Sequence, residues 1–285
     1  MFAYLNLTKP RISLLFALSG FAALLIERSM TATPLKLAAI VLAIFLVGGS
    51  ANAFNQYFER DIDARMTRTS RKRPLPLAQV SPLQALLFST VIGALGTGML
   101  LFWGGWLAGL LGLCTILFYS LYYTLWLKPR TPYNIVIGGI AGATGPLIGW
   151  AAATGTLGLL PLIIFLIIFV WTPPHFWALA LNCKEDYARV GYPMLPNVVG
   201  DNATYRQIMI YSVVLFPLTV GLSFFQNIGW LYGTAAVMLS TLFVALALRA
   251  ATLKTVRTNW ILFGYSIVYL LLLFVAMIVD VLVIS

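Results

Sequence analysis

Nine long apolar segments divide this chain of 285 residues, and they constrain its fold more than any other feature. Their approximate bounds are 11–27, 36–56, 82–102, 107–126, 133–153, 157–182, 207–225, 228–248 and 258–282. A helix of about 20 apolar residues matches the hydrocarbon thickness of a bilayer. Lipid offers the backbone no hydrogen bonds, so an isolated span must satisfy its own backbone groups as a helix. The sequence therefore predicts an all-α, polytopic membrane protein with about nine transmembrane helices.

The composition excludes a soluble domain. Hydrophobic residues make up 61% of the chain and charged residues only 9%. A net charge of +10 would suit nucleic-acid binding, but the basic residues cluster in alternate connections between apolar segments. We therefore predict no nucleic-acid partner. The two cysteines, Cys114 and Cys183, form neither a metal pattern nor a disulfide framework.

The distribution of basic residues predicts the orientation of the chain. All of the 18 Lys and Arg residues except Arg28 and Lys36 fall at the amino terminus or in every second connection. Basic residues are concentrated on the cytoplasmic side of membrane proteins. We therefore expect a multi-pass protein of a bacterial plasma (inner) membrane, with its N-terminus cytoplasmic and its C-terminus periplasmic.

The stretch from Asn55 to Pro76 carries the first group of candidate site residues. Asn55, Glu59 and Asp63 recur at every fourth position, so on a helix they share one face, whereas Asp61 points away. Two carboxylates and an amide suit a hard cation, and Mg²⁺ is commonly held by one or two carboxylates together with substrate phosphates. The face predicts a magnesium site at the membrane boundary.

Basic residues crowd the same stretch. They are Arg60, Arg65, Arg68, Arg71, Lys72 and Arg73. Such a cluster suits phosphate groups. The alternative is a loop whose charges only fix the orientation of the protein.

A second polar group surrounds the single histidine, in the sequence from Trp171 to Trp177. The pair Pro173-Pro174 predicts a break in the span, with a new helix starting there. On that new helix His175, Asn182 and Asp186 would lie on one face near the cytoplasmic end. A structural hydrogen-bonding histidine is the alternative to a site residue.

A third stretch, 119–134, carries Lys128 and Arg130 near its end and leads into a span rich in small residues. Tyr119 and Tyr123 lie in this stretch. They are either aromatic residues of the membrane interface or part of a cavity wall. The long connections 57–81 and 183–206 follow the second and sixth spans, which suggests two related halves within a single domain, 1–285, with a break near 128–132.

Six stretches of this chain resemble the UbiA-type intramembrane prenyltransferases, and within them the branch that modifies haem. They are LTKPRIS (7–13), NQYFERDIDARMTRT (55–69), RPLP (73–76), LKPRTPYNIVIGG (127–139), WTPPHFWALAL (171–181) and DYARVGYPMLP (186–196). The first acidic motif carries Glu59 where Asp is usual. The second acidic motif is reduced to Asn182 and Asp186.

The resemblance implies nine helices around a central cavity open to the cytoplasmic side. It implies farnesyl transfer from farnesyl diphosphate to a vinyl group of haem B, with water addition, giving haem O for haem-copper oxidases. It also implies Mg²⁺ and possible contact with a haem A synthase or terminal oxidase. Alternatives are a prenyltransferase acting on a quinone precursor, a transporter and a structural assembly protein.

The residues implied for each role fall into four sets. The catalytic set is Asn55, Glu59, Asp63, His175 and Asp186. The metal set is Asn55, Glu59, Asp63 and Asp186. The diphosphate set is Arg68, Arg71, Lys72, Arg73, Lys128 and Arg130. The set for the haem and prenyl cavity is Tyr119, Tyr123, Asn134, Trp171, Trp177 and Asn182.

Overall fold

The computed structural model describes residues 2–283, which form helices and connections and contain no β-strand. The α-helices are α1 (Phe2–Leu7), α2 (Pro10–Glu27), α3 (Pro34–Phe58), α4 (Arg60–Arg65), α5 (Thr67–Ser70), α6 (Pro82–Met99), α7 (Gly105–Leu117), α8 (Asn134–Ala143), α9 (Gly145–Thr154), α10 (Leu159–Asn182), α11 (Lys184–Arg189), α12 (Leu195–Val199), α13 (Asp201–Gly221), α14 (Trp230–Leu253) and α15 (Val256–Val283). The predicted all-α fold is confirmed.

Within residues 2–283, eight helical stretches are long and apolar enough to cross a membrane. One of them, Pro82–Leu127, is 46 residues long. A straight helix of that length would extend for about 70 Å, more than twice the hydrocarbon thickness of a bilayer. This stretch covers two of the predicted spans, and the count of nine spans stays a prediction.

The long stretch turns back on itself near Gly105. The φ angle of Gly105 is 84°, a value that side chains with a Cβ rarely adopt. Beyond the turn, Gly112 packs beside the side chain of Leu100. On a straight helix these two residues would be about 18 Å apart, so α6 and α7 form a hairpin.

Two π-helical segments lie within this stretch, at Leu100–Gly104 and Phe118–Leu127. In the second segment the amide N–H of Lys128 donates to the carbonyl of Tyr123, five residues earlier, at 2.8 Å. The Thr124 hydroxyl donates to the carbonyl of Tyr119, also five residues earlier, at 2.7 Å. Segments of this kind are rare and often lie at functional sites.

The break predicted at Thr172–Pro174 is wrong, because α10 continues through both prolines to Asn182. Prolines are tolerated in transmembrane helices where neighbouring helices and hydroxyl side chains compensate for the lost donors. Here the Thr172 hydroxyl donates to the carbonyl of Ile168 at 2.8 Å. The helix instead ends at Asn182, and α11 begins at Lys184. His175 and Asp186 therefore do not share a helical face.

The helices pack as a ring. α2 contacts α3 and α9, α3 contacts α6 and α7, and α10 contacts α8, α13 and α15. The ring closes where α15 contacts α2. Large apolar clusters fill both sides of the ring, and their outward faces carry exposed Leu, Val, Phe and Trp residues, as a lipid-facing surface requires. This arrangement leaves α2, α3, α8, α10 and α15 facing a common interior.

Candidate active site

The predicted acidic face forms at the end of α3. The amide of Glu59 donates to the carbonyl of Asn55 at 3.0 Å, and the amide of Asp63 donates to that of Glu59 at 2.8 Å. The four-residue register therefore passes unbroken from α3 into α4. All three side chains are buried, each only 2% exposed, whereas the Asp61 side chain is 84% exposed. The side chains that the sequence placed on one face lie together inside the protein.

Three cations surround this face. Lys128 forms an ion pair with Glu59, and Arg73 forms one with Asp63. Arg73 also lies 3.5 Å from Glu59. Lys9 donates to the side-chain oxygen of Asn55 at 2.9 Å, and the Asn55 amide donates to the Thr124 hydroxyl at 3.1 Å. We call Lys9, Asn55, Glu59, Asp63, Arg73 and Lys128 the ionic cluster.

The electrostatics of the ionic cluster favour an anionic ligand. Burial alone would raise the pKa of Glu59, but the charges of Lys128 and Arg73 lower it to about 2. Burial raises the pKa of Asp63 despite Arg73. Burial and then repulsion by Arg73 lower the pKa of Lys9 well below its ordinary value. When all five groups are ionised, the three cations outnumber the two carboxylates. The cluster then has a net positive charge, which attracts an anion.

The two long connections, 57–81 and 183–206, meet at Asp186. Its carboxylate accepts from the backbone N–H groups of Thr67 and Arg68 at 3.1 and 2.9 Å, at the start of α5. Arg189 donates to the Thr67 hydroxyl at 2.9 Å. Carboxylates stabilise helix N-termini in this way, and these N–H groups lower the pKa of Asp186 against the effect of burial. Asp186 therefore joins the two loops.

The metal role expected for Asp186 does not fit this position. Among residues 2–283 no three His, Cys, Asp or Glu side chains are grouped so that they could hold a metal ion. A metal at Glu59 and Asp63 would therefore need Asn55 and oxygen atoms from a substrate to complete its shell. Mg²⁺ accepts that kind of shell.

A tyrosine from the second connection reaches the ionic cluster. The Tyr192 hydroxyl donates to Glu59 at 3.3 Å, and Lys128 lies 4.9 Å above the centre of the Tyr192 ring. Burial, and then the charge of Glu59, raise the pKa of Tyr192. Tyr192 stays protonated and acts as a hydrogen-bond donor at neutral pH.

Beside the ionic cluster, a cavity of about 440 Å³ opens between the helices. Its wall is largely apolar and includes four of the candidate site residues, Tyr119, Tyr123, Trp171 and His175. The Tyr123 ring packs directly against Gly138, because any residue with a Cβ at that position would overlap the ring. The cavity also contains Phe263, whose position the sequence did not indicate.

His175 is held in an aromatic sandwich on this wall. Its ring is stacked against Trp171 and Phe263, with centroid distances of 4.4 and 4.7 Å. The Trp171 indole N–H donates to the backbone carbonyl of Ser266 at 2.8 Å. His175 Nδ1 lies 2.6 Å from the Ser266 hydroxyl oxygen. The ring is thus fixed in orientation from three sides.

The same contacts define the tautomer of His175. The Ser266 hydroxyl donates its only proton to the carbonyl of Phe263, at 2.6 Å. It can therefore only accept from His175, so the proton of the neutral imidazole is on Nδ1. Nε2 then carries a lone pair and has no hydrogen-bond partner among residues 2–283. A histidine on the cavity wall with a lone pair available on Nε2 can coordinate a metal or accept a proton.

Several predicted site residues lie elsewhere. Asn134 donates to the carbonyl of Thr131, Trp177 packs edge-on against Tyr211, and Asn182 accepts from Asn259. These three side chains do not line the cavity, contrary to expectation. Asn134 and Trp177 are each next to a cavity residue in sequence, but their side chains contact other parts of the protein.

The expected diphosphate set also divides into residues that lie at the site and residues that lie elsewhere. Of its six members, Arg73 and Lys128 belong to the ionic cluster. Arg68 lies over the Tyr187 ring, and Arg130 donates to the carbonyl of Trp126 at the end of the π-helical segment. Arg71 and Lys72 are exposed, and their side chains have no ion pair or hydrogen bond with residues 2–283.

Sequence reasoning missed the site positions of Lys9, Tyr192 and Ser266. The sequence indicates for Lys9 only a part in setting the membrane orientation, although the stretch 7–13 that contains it shows the family resemblance. Tyr192 likewise lies within the resembling stretch 186–196. Nothing in the sequence indicates a site role for Ser266, because serine is common in apolar spans and its partner His175 is 91 residues away.

The chain matches known proteins over nearly its whole length. The sequence profile described as "UbiA prenyltransferase family" matches residues 13–279. A protoheme IX farnesyltransferase of Gloeobacter violaceus is 47% identical over 278 residues, covering 97% of this chain and 91% of that protein. One of Erythrobacter litoralis is 44% identical over 282 residues, with coverages of 97% and 91%.

A solved structure shows the same fold. It is described as a UbiA homolog from Archaeoglobus fulgidus bound to DMAPP and Mg²⁺. It aligns with a TM-score of 0.71 over 99% of this chain and 100% of that one, at 15% sequence identity. The ring of helices seen here is therefore the fold of that protein.

Proposed function

This chain belongs to the UbiA prenyltransferase family, and from that premise we propose that it transfers a farnesyl group from farnesyl diphosphate to a vinyl group of protohaem, giving haem O. Near full-length relatives at 44% and 47% identity carry the name protoheme IX farnesyltransferase. The observation that carries the proposal is the adjacency of two features. The ionic cluster suits a metal diphosphate, and the apolar cavity beside it suits a flat aromatic acceptor.

The ionic cluster fits a magnesium diphosphate. Asn55, Glu59 and Asp63 offer hard oxygen ligands, and the homolog from Archaeoglobus fulgidus is described as binding Mg²⁺ with a prenyl diphosphate. Bound there, Mg²⁺ would neutralise charge on the diphosphate leaving group. Lys9, Arg73 and Lys128 supply positive charge from the protein on the same side.

Ligand binding would exchange partners within the ionic cluster. Glu59 and Asp63 now pair with Lys128 and Arg73, and these pairs compensate the two buried carboxylates. If the two carboxylates held a metal ion, Lys128 and Arg73 would be free to contact the diphosphate oxygens. Tyr192 remains a donor to whichever oxygen replaces Glu59.

The proposed reaction is balanced in bonds and charge. The C1–O bond of farnesyl diphosphate breaks, and diphosphate leaves with the electron pair. The π electrons of the haem vinyl group form the new C–C bond to C1 of the farnesyl cation. The resulting cation next to the macrocycle adds water and loses a proton, which leaves the hydroxyethylfarnesyl group.

The cavity wall supports these steps. The rings of Tyr119, Tyr123 and Trp171 present π faces that stabilise a cation and exclude bulk water. His175 offers the Nε2 lone pair to the acceptor side. Coordination of haem iron and acceptance of the proton from the added water are the two roles open to that lone pair.

Product analysis tests the proposal. Purified protein is incubated with farnesyl diphosphate, protohaem and Mg²⁺, and the extracted haems are analysed by liquid chromatography and mass spectrometry. We expect a haem whose mass has risen by a farnesyl group and a hydroxyl group. A quinone precursor offered in place of protohaem should give no product. Release of diphosphate only with the quinone precursor would overturn the haem assignment in favour of that acceptor class.

The membrane context follows as part of the proposal. We expect the protein in a bacterial inner membrane, with the ionic cluster on the cytoplasmic side, where both long connections carry their basic residues. The product would pass to a haem A synthase or a terminal oxidase. Protease accessibility of the 57–81 connection in right-side-out and inverted vesicles tests the orientation.

A further inference from the structure

One charged side chain on the cavity wall has no role in the ionic cluster. Arg11 is the only Lys, Arg, Asp or Glu residue among the described residues that line the cavity. The Arg11 side chain forms no hydrogen bond or ion pair with any of residues 2–283. Two residues earlier, Lys9 is directed into the ionic cluster, so the two neighbouring cations have different surroundings.

The position of Arg11 places it at the membrane boundary. It is the second residue of α2, next to the connection that carries Lys9. His175 lies seven residues before the end of α10, which corresponds to about 10 Å of helix. The cavity therefore combines a cationic group at the start of one helix with an imidazole deeper along another helix.

We propose that Arg11 binds a propionate carboxylate of the haem acceptor. The inference rests on the proposed function, because protohaem supplies the carboxylate. The Arg11 guanidinium lines an otherwise apolar wall and is available to an anion, and its fork of N–H groups matches a carboxylate. The diphosphate already has three cations in the ionic cluster. Haem has an apolar macrocycle with carboxylates at one edge, which matches an apolar cavity with one arginine.

The chain provides a matched control. Arg257 is also the second residue of a long apolar helix, α15, and is also exposed. Its side chain has no ion pair or hydrogen bond with residues 2–283, and it is not among the residues that line the cavity. Arg11→Gln and Arg257→Gln remove the same charge from equivalent helical positions, so any effect of charge on membrane insertion is common to both.

The test compares protohaem with its dimethyl ester, whose propionates are neutral. Binding to the purified protein is followed by the haem absorption band. Wild-type protein and Arg257→Gln should bind protohaem about tenfold more tightly than the ester, as expected for one charge-assisted hydrogen bond. Arg11→Gln should bind both equally, and Arg11→Lys should retain part of the preference. The KM for farnesyl diphosphate should be unchanged in all of them.

Two results would overturn the inference. One is an Arg11→Gln protein that still prefers protohaem over the ester as strongly as the wild type does. The other is an effect of Arg11→Gln that depends on anionic lipid and not on the ester, which would assign Arg11 to a lipid phosphate. Failure of the proposed function looks different, since the wild-type protein would then make no farnesylated haem at all.

Discussion

The Nδ1 atom of His175 lies 2.6 Å from the hydroxyl oxygen of Ser266, and that hydroxyl donates its own proton to the carbonyl of Phe263. The serine therefore acts only as an acceptor towards the imidazole. It holds the proton on Nδ1 and leaves the Nε2 lone pair available to a molecule in the cavity. A residue from α15 thus determines which nitrogen of a residue on α10 is reactive.

Ser266→Ala should lower haem O formation about tenfold, because the imidazole loses its fixed tautomer and one hydrogen bond. The Trp171 indole still bonds to the backbone carbonyl of residue 266, so the packing of the two helices should survive. Turnover and the haem absorption band are measured together. Ser212→Ala is the control, since the buried Ser212 hydroxyl donates only within its own helix, to Ile208. Equal turnover in the two variants would show that Ser266 does not position His175.

His175→Ala should eliminate haem O formation while farnesyl diphosphate and Mg²⁺ still bind, because the ionic cluster lies on other helices. Binding of farnesyl diphosphate is measured by calorimetry and the product by chromatography. A shifted haem band in this variant would assign His175 to iron coordination, and an unchanged band with lost turnover would assign it to proton transfer. Haem O produced at the wild-type rate would make the histidine structural.

Asp63→Asn should abolish the Mg²⁺-dependent turnover, because it removes one of the only two carboxylate charges that the site offers to the cation. The variant should remain folded, since the backbone carbonyl of residue 63 still accepts from the Thr69 hydroxyl. Turnover is titrated against Mg²⁺ concentration. Asp61→Asn is the control, because Asp61 is exposed. A wild-type magnesium response in Asp63→Asn would remove this carboxylate from the metal site.

Arg73→Gln should raise the KM for farnesyl diphosphate about tenfold or more, whereas Arg71→Gln should leave it unchanged. The two residues are close in sequence, but only Arg73 reaches Glu59 and Asp63. Arg73→Lys should restore the function only in part, because an ammonium group lacks the bidentate fork. Steady-state kinetics at saturating protohaem provide the comparison. Similar KM values for both glutamine variants would mean that Arg73 acts only on membrane orientation.

Acid should destabilise the protein through Glu59. Its pKa in the folded protein is about 2, below the ordinary value of 4.5, so the folded state favours the charged carboxylate. This stabilisation is complete above about pH 4.5 and is lost as the pH falls towards 2. The raised pKa of Asp63 acts in the opposite direction, which is why a single-site variant is needed.

Glu59→Gln should therefore have a lower melting temperature than the wild type near neutral pH, and the difference should shrink as the pH falls. Thermal unfolding in detergent, without metal or substrate, measures both curves. Removal of the carboxylate leaves Lys128 without its partner, which accounts for the loss at neutral pH. A difference that stays constant across the acidic range would contradict the assignment of the pH dependence to Glu59.

Features that depend on nearby residues were predictable from the sequence. The long apolar helices follow from runs of about 20 apolar residues, and the alignment of Asn55, Glu59 and Asp63 follows from the helical repeat. The selection of Arg73 over Arg71 did not follow, because the loop after α5 decides which side chain turns inward. The contact from Tyr192 to Glu59 spans 133 positions, which no local pattern encodes. Continuation of α10 through Pro173 and Pro174 likewise depends on its surroundings.

The π-helical segment Phe118–Leu127 has a consequence for insertions and deletions. A π-helix contains more residues per turn than an α-helix, so the number of residues in this segment determines the angle at which the chain leaves it. A single-codon deletion there would change the rotation of the following residues around the helix axis, because the wide turns could no longer keep their i→i+5 hydrogen bonds. Lys128 would then turn away from Glu59 although both residues were still present. A substitution in this segment can leave Lys128 beside Glu59, but a change in the length of the segment cannot.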